Sequence, residues 1–386
     1  MRIKSIETFK LKSLLDEPFG WSQGWASERS TLIVKIITDD GLVGWGETVA
    51  GKAQQFVHSL APLLIGEDPM NRIGIWERMF SCFYFANSEG GPVMSGLDIA
   101  LWDLAGKATG QPISALLGGR VRDKVAVYAT GLYYTKNETL DTICEEAQGY
   151  VNAGFKGMKT KIGGLDINED VKRVAALREA IGPDIYLSVD ANQAFNPGTA
   201  IRIGKKLEPY DILWFEEPVN TNDIEAYLEI KSALSIPIAG GECLKNRYAF
   251  ERFLTRRAVH IIQPDIGLCG GITEMYRIAT MANTCNIQVN PHTWASQITV
   301  AATAHLVAAL PPCPPAFQTR PYIHEPVMEF DQTPSGFRES ICIAPLMPDD
   351  GFIKVPSSPG LGIEVNEEIV KEYCEEGGHT VCTQKA

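Results

Sequence analysis

Three acidic residues, Asp190, Glu216 and Glu242, recur at intervals of 26 residues, each near the end of a short apolar or β-branched run. If those runs are adjacent parallel strands, the three carboxylates converge on one point. Crowded into a low-dielectric site, they must take up protons or bind a cation, and a histidine-free set of oxygens selects a hard ion such as Mg²⁺ over zinc. Any one of them alone would read as a helix cap or an arginine partner; the shared register argues for a metal. Strand alternation lets only one of Glu216 and Glu217 face inward, and the 26-residue register selects Glu216, with Glu217 behind it.

Two further pairs could move protons. Lys159 and Lys161 stand two apart on a strand, hence on one face, and a lysine that is desolvated or beside another cation gives up its proton more easily, as a general base must. Asp265 and His292 end neighbouring runs, so the carboxylate can fix the imidazole tautomer and raise its basicity, making His292 a second acid or base. No serine or cysteine nucleophile stands beside an evident base, so covalent catalysis gains no support.

These residues need an element that gathers them. Seven runs, at 126–130, 157–162, 186–192, 212–218, 236–242, 260–266 and 287–293, alternate with stretches of helical period, and an eighth, weaker run lies at 316–319. Strands alternating with helices mean βαβ crossovers and a parallel sheet. The polar strand-end residues follow one another at 29, 26, 26, 23 and 27 residues, one βα unit per step. A closed barrel collects such ends around one mouth, where barrel enzymes keep their catalytic groups, so the expectation is an α/β protein with a barrel over 125–335.

Residues 1–124 have another texture, with strands expected at 2–11 and 30–38, a turn at Asp39-Asp40-Gly41, and helices near 52–64, 69–84 and 92–108. They read as an α+β capping unit. The tail, 336–386, is rich in proline, ends in a short helix near 366–375, and is expected to pack on that unit. Residues 17–26 hold glycines and aromatics without a period, which suits a mobile lid carrying Phe19, Trp21 and Trp25.

Composition sets outer limits. The 386-residue chain carries a net charge of −12 and no basic stripe, which disfavours nucleic acid as a partner. The most apolar stretch, Ile298 to Leu310, is too short to span a bilayer and includes His305, so it reads as a buried helix and no membrane role is expected. Nine cysteines without a CxxC pair fit free thiols in a reducing compartment, and no signal peptide precedes the first strand. A cytoplasmic location is the expectation.

Taken together the motifs resemble the enolase superfamily, mandelate racemase subgroup. They are Lys159-Thr160-Lys161, Asp190-Ala191-Asn192, Trp214-Phe215-Glu216-Glu217-Pro218, Gly240-Gly241-Glu242, Gln263-Pro264-Asp265 and Asn290-Pro291-His292, with the run from Gly96 to Lys107 and Pro359-Gly360-Leu361-Gly362 beyond the barrel. The resemblance covers essentially the whole chain. It implies a modified (β/α)7β barrel under a capping domain, one Mg²⁺ on Asp190, Glu216 and Glu242, and Lys161 facing the Asp265–His292 dyad across a small carboxylate substrate. It also implies that Glu329, after the last strand, hydrogen-bonds the developing enolate oxygen, that Phe19, Trp21, Trp25 and Thr48 line the distal pocket, and that the chain forms a homo-oligomer.

Proton abstraction α to a carboxylate, giving an ene-diolate, is the first step so implied, and superfamily sites are known to use lysine or histidine bases with Mg²⁺. Acid-sugar dehydration and lactone cycloisomerisation by β-elimination are the favoured outcomes. Thr130-Gly131, Trp294 and the run from Glu325 to Asp331 look like the galactarolactone cycloisomerases and related acid-sugar enzymes. Some acid-sugar dehydratases carry histidine where this chain has Asn192, which disfavours those subtypes. Racemisation or epimerisation, and a barrel that only binds metal or ligand, are the alternatives.

Overall fold

The computed structural model describes residues 1–51, 53–82 and 90–383. The N-terminal sheet begins with three antiparallel strands, β1 (Ile3–Trp21), β2 (Gly24–Thr38) and β3 (Val43–Thr48). The β2 run from Leu32 to Ile36 is buried throughout because both faces of the sheet are covered, successive residues serving opposite faces. Leu32, Val34 and Ile36 pack with Val57, Leu60, Trp76 and Leu97 of the unit's own helices, whereas Phe9, Ile33 and Trp45 belong to the apolar cluster that continues into the barrel.

The helices run Ala53–Leu64, Arg72–Cys82 and Gly90–Thr109. The expected helices at 52–64 and 69–84 therefore lie here, with residues 52, 83 and 84 outside the described residues. Helix Gly90–Thr109 touches β3 backbone to backbone, and only glycine permits it: a Cβ on Gly46 would sit 1.9 Å from the carbonyl oxygen of Gly96, and one on Gly44 2.3 Å from that of Ala100. Two acids of this helix fasten the units together. Asp98 accepts hydrogen bonds from the Thr273 amide (2.8 Å) and hydroxyl (2.6 Å), capping a barrel helix whose N-terminus has glycine and no side-chain cap of its own. Asp103 accepts from the amides of Trp45 (2.9 Å) and Leu361 (2.8 Å) and from Lys107 (2.6 Å).

The barrel strands are β4 (Lys124–Thr130), β6 (Gly157–Lys161), β7 (Tyr186–Asp190), β8 (Ile212–Glu216), β9 (Ile238–Gly240), β10 (Ile261–Ile262), β11 (Gln288–Val289) and β12 (Met328–Asp331). From β4 to β11 they pair in parallel in that order, and β12 pairs in parallel with the other edge of β4. Between β11 and β12 the sheet is joined by the Glu329 amide to the Pro291 carbonyl (3.3 Å) and the Val327 amide to Asn290 Oδ1 (3.1 Å). Seven helices cover the outside, several entered through a side-chain cap such as Asp166, Asn196, Asn246 or Ser296. The two-residue β5 (Tyr134–Thr135) pairs with β1, and β13 (Phe352–Lys354) runs antiparallel to β4.

Helix Gln297–Ala309 is the buried helix expected from its composition, and among the described residues no helix is long and apolar enough to cross a membrane. The tail contributes a short helix, Glu367–Glu372, and then β14 (Cys374–Thr383), which pairs with β1. The sequence reading missed β3 and β14. It also misplaced the eighth barrel strand: residues 316–319 form no strand, Phe317 there is fully exposed, and the strand is Met328–Asp331. Proline-rich surroundings hide the difference, because a fully buried four-residue strand carries no alternation to detect.

Candidate active site

The strand register brings the acidic residues to one level: Lys161 pairs with Asp190 on β6 and β7, and Asp190 with Glu216 on β7 and β8. Glu242 follows β9 by two residues. One carboxylate oxygen from each of Asp190, Glu216 and Glu242 lies within 4.8 Å of the others. Asp190 and Glu216 are fully buried. Glu216 also accepts from Trp214 Nε1 (2.9 Å) and Gln263 Nε2 (2.6 Å), which fix its orientation.

Both lysines reach this cluster. Lys159 Nζ lies 2.6 Å from Glu216, 3.1 Å from Glu329 and 3.6 Å from Asp190; Lys161 Nζ lies 2.5 Å from Asp190 and 3.0 Å from Asn192 Oδ1. Asn192 in turn donates to Glu242 (3.3 Å). Across the mouth, His292 Nδ1 is 2.6 Å from Asp265 Oδ2, and its Nε2 is 3.5 Å from Glu242 and 3.6 Å from Glu329. Asp265 and His292 are paired by a parallel bridge. Glu329 stands within β12 rather than after it, and its Oε2 accepts from the Thr293 amide (2.9 Å).

Charge here is unbalanced. Five carboxylates, Asp190, Glu216, Glu242, Asp265 and Glu329, face two ammonium groups and one imidazole. Burial pushes Glu216 up to about 7, helped by its acidic neighbours against Lys159. Burial draws His292 down, but Glu242, Glu329 and Asp265 outweigh it and raise the imidazole to about 10. Lys161 behaves alike: desolvation opposes its charge, yet Asp190 and the ionisable phenol of Tyr133 hold it above the ordinary lysine range. Each ammonium serves as countercharge to a carboxylate, Lys159 to Glu216 and Lys161 to Asp190. Burial also opposes ionisation of Glu329, but Lys159 and His292 prevail and keep it below the usual carboxylate range.

An oxygen-only trio, deficient in positive charge and buried at a strand-end mouth, fits a hard divalent cation. Backbone conformation is unusual at the same place: Asn192, Gln193 and Glu217 have φ of 43°, 66° and 38°, in the left-handed region where a side chain is disfavoured.

A cavity of about 170 Å³ opens above the cluster, lined by Trp21, Tyr133, Lys161, Asn192, Glu242, His292 and Trp294. Its roof is the β1–β2 hairpin, where Phe19 pairs with Ala26, Gly20 with Trp25 and Trp21 with Gly24. The expected irregular lid is thus a paired hairpin, held to β5 and by the Ser22 hydroxyl on the Ala191 carbonyl (2.6 Å). Phe19 is buried edge-on against Tyr133 and Trp294. Trp25 lies outside the cavity over Gly20 and is 52% exposed. Thr48 is also outside it, bonded to the Pro92 and Gly267 carbonyls and lining a neighbouring cavity beyond Trp294. Tyr133, whose ring lies 4.8 Å from Lys161 Nζ, escaped sequence reasoning because nothing in its spacing marks it.

Comparison with known proteins gives the family and the fold. The family description "Mandelate racemase / muconate lactonizing enzyme, N-terminal domain" matches residues 5–118, and "Enolase C-terminal domain-like" matches 142–369. The chain is 38% identical over 380 residues to D-galactarolactone cycloisomerase of Agrobacterium fabrum, covering 97% of this chain and 99% of the relative. It is 35% identical over 382 residues to arabinonate dehydratase of Saccharolobus solfataricus, covering 96% and 99%. Among solved structures, the 3,6-anhydro-D-galactonate cycloisomerase from Zobellia galactanivorans superposes with a TM-score of 0.87 at 36% identity, covering 97% of this chain and all of that one. The chain is an enzyme of the mandelate racemase / muconate lactonizing enzyme family, within the enolase superfamily.

Proposed function

We propose that the protein removes the proton α to the carboxylate of a sugar acid or sugar-acid lactone and completes a β-elimination, as a cycloisomerase or dehydratase. The observation that carries this reading is that Lys161 and His292 line one cavity from opposite sides of the carboxylate trio. The names of the relatives support the substrate class and favour elimination over racemisation.

Asp190, Glu216 and Glu242 would hold one Mg²⁺, which supplies positive charge where the substrate carboxylate gains electron density. The remaining work falls to the chain's own groups. Lys161 and His292 face opposite sides of the α-carbon, one taking its proton while the other protonates the leaving oxygen. Asp265 holds the imidazole through Nδ1, leaving Nε2 toward the cavity. Lys159, beneath them, adds fixed positive charge, and Glu329 ties Lys159 and His292 into one arrangement. Asn192 and Trp294 contact the substrate's hydroxyl-bearing part, with Trp21 above and Phe19 bracing the wall. Each positioned acid or base contributes roughly 10² to 10⁴-fold.

This reading takes 125–335 as the barrel domain, and 1–124 with the tail 336–386 as its cap; the pairing of β14 with β1 supports that division. It also takes the protein as a cytoplasmic homo-oligomer. All nine cysteines are free, in keeping with a reducing compartment. The test is turnover of a library of mono- and diacid sugars and their lactones with Mg²⁺, products being identified by NMR. A lactone opened to an unsaturated or deoxy-keto product, or an acid dehydrated, supports the proposal. Inversion at the α-carbon alone, or no reaction anywhere in the library, contradicts it.

A further inference from the structure

Glu217 is left unused by the chemistry above. It is fully buried, and its Oε1 has no hydrogen-bond partner among the described residues. Such an orphaned carboxylate oxygen is costly unless something binds it. One oxygen of Glu217, one of Glu242 and the Sγ of Cys243 lie within 4.8 Å of one another. Glu217 and Cys243 stand outside the catalytic cavity, which is lined by Glu242 but by neither of them, and Cys243 is exposed.

Gln193 organises this cluster from behind. Its Oε1 accepts from the Thr221 amide (3.2 Å), so its amide nitrogen faces Glu217 Oε2 (2.9 Å) and Cys243 Sγ (3.5 Å). A hydrogen bond that orients a would-be ligand in this way raises metal affinity.

We propose that Glu217, Glu242 and Cys243 form a second cation site, selective for a thiophilic divalent ion of the zinc type, which regulates the enzyme by competing for Glu242. Ligand softness separates the two sites. The trio of oxygens suits Mg²⁺, whereas a set containing a thiolate suits Zn²⁺ or Co²⁺. Binding releases the thiol proton and any proton on Glu217 to solvent, so the cluster passes from a protonated, ion-free state to a deprotonated, loaded one. A carboxylate shared by two sites couples them: an ion on Cys243 and Glu217 draws Glu242 away from Asp190 and Glu216. The regulatory half of this inference rests on the reading that Glu242 belongs to the Mg²⁺ trio; the existence of the site does not.

The test is Co²⁺ titration of the full-length protein in saturating Mg²⁺, followed by the near-ultraviolet thiolate-to-Co²⁺ charge-transfer absorbance. Wild type develops this band, Cys243→Ser lacks it, and Cys82→Ser, altering another exposed thiol, retains it. In parallel, Zn²⁺ suppresses Mg²⁺-supported turnover of wild type, and Cys243→Ser raises the Zn²⁺ needed by at least about tenfold with unchanged activity in Mg²⁺ alone. Absence of the band in wild type, or its persistence in Cys243→Ser, overturns the site. A band at Cys243 with no effect of Zn²⁺ on turnover overturns only the regulation.

Discussion

The trio of carboxylates concentrates negative charge that two lysines and a histidine do not cancel, and this imbalance is the residue-scale feature from which metal binding follows. Glu216 is held in place by Trp214, Gln263 and Lys159. Glu216→Gln keeps its volume and removes the charge. Mg²⁺ should raise the melting temperature of wild type, since a ligand of the folded state at 100 times its dissociation constant adds about 2.7 kcal/mol. In Glu216→Gln that shift should vanish, as read by scanning calorimetry with and without Mg²⁺; an equal shift in both proteins would remove Glu216 from the metal site. These residues were legible in the sequence because a repeating βα unit forces equivalent strand ends into equal spacing. Tyr133 and Glu217's orphaned oxygen were not, since each depends on a turn whose conformation no pattern announces. Leu132 and Glu217 both have positive φ.

At the scale of elements, the barrel mouth is closed by a hairpin whose other end is built into the capping sheet. That sheet is positioned in turn by the contact of β3 with helix Gly90–Thr109. Gly46→Ala places a methyl where the Gly96 carbonyl stands, and neither backbone can yield without moving its element. Overpacking of this kind costs about 1 to 3 kcal/mol. Denaturant unfolding should show at least that loss, with the substrate KM raised through the displaced hairpin; an unchanged midpoint would mean the helix rests more loosely on β3 than its geometry indicates. The sequence displayed seven of the barrel strands and their helices through the recurrence of short apolar runs between helical stretches. It concealed β3, a six-residue strand interrupted by two glycines, and β12, whose place is set by partners two hundred residues away in β4.

For the molecule as a whole, cap, barrel and tail meet at His305. Its Nε2 donates to the Leu361 carbonyl (3.0 Å) in the tail, and its Nδ1 accepts from the Ser114 amide (3.3 Å) in the cap. Burial lowers the imidazole to about 4. A base whose folded pKa lies below its unfolded value near 6.5 contributes fully above 6.5, and that contribution is lost as the pH falls from 6.5 toward 4. The loss amounts to about 3 kcal/mol for a shift of this size. Unfolding free energy should therefore decline more steeply between pH 7 and 5 in wild type than in His305→Asn; parallel declines would show that the imidazole is not held neutral. The sequence displayed this helix as buried but not its role as a joint, because Ser114 and Leu361 lie far from it along the chain.

The central claim is that Lys161 and His292 act on one α-carbon from opposite sides. Exchange of the substrate α-proton in deuterated solvent, followed by NMR with Mg²⁺ present, tests it most directly. Lys161→Ala and His292→Asn, folded as judged by circular dichroism, should each lose turnover, and the variant that lacks the proton-abstracting residue should lose exchange as well. Exchange at the wild-type rate in both variants would contradict the assignment.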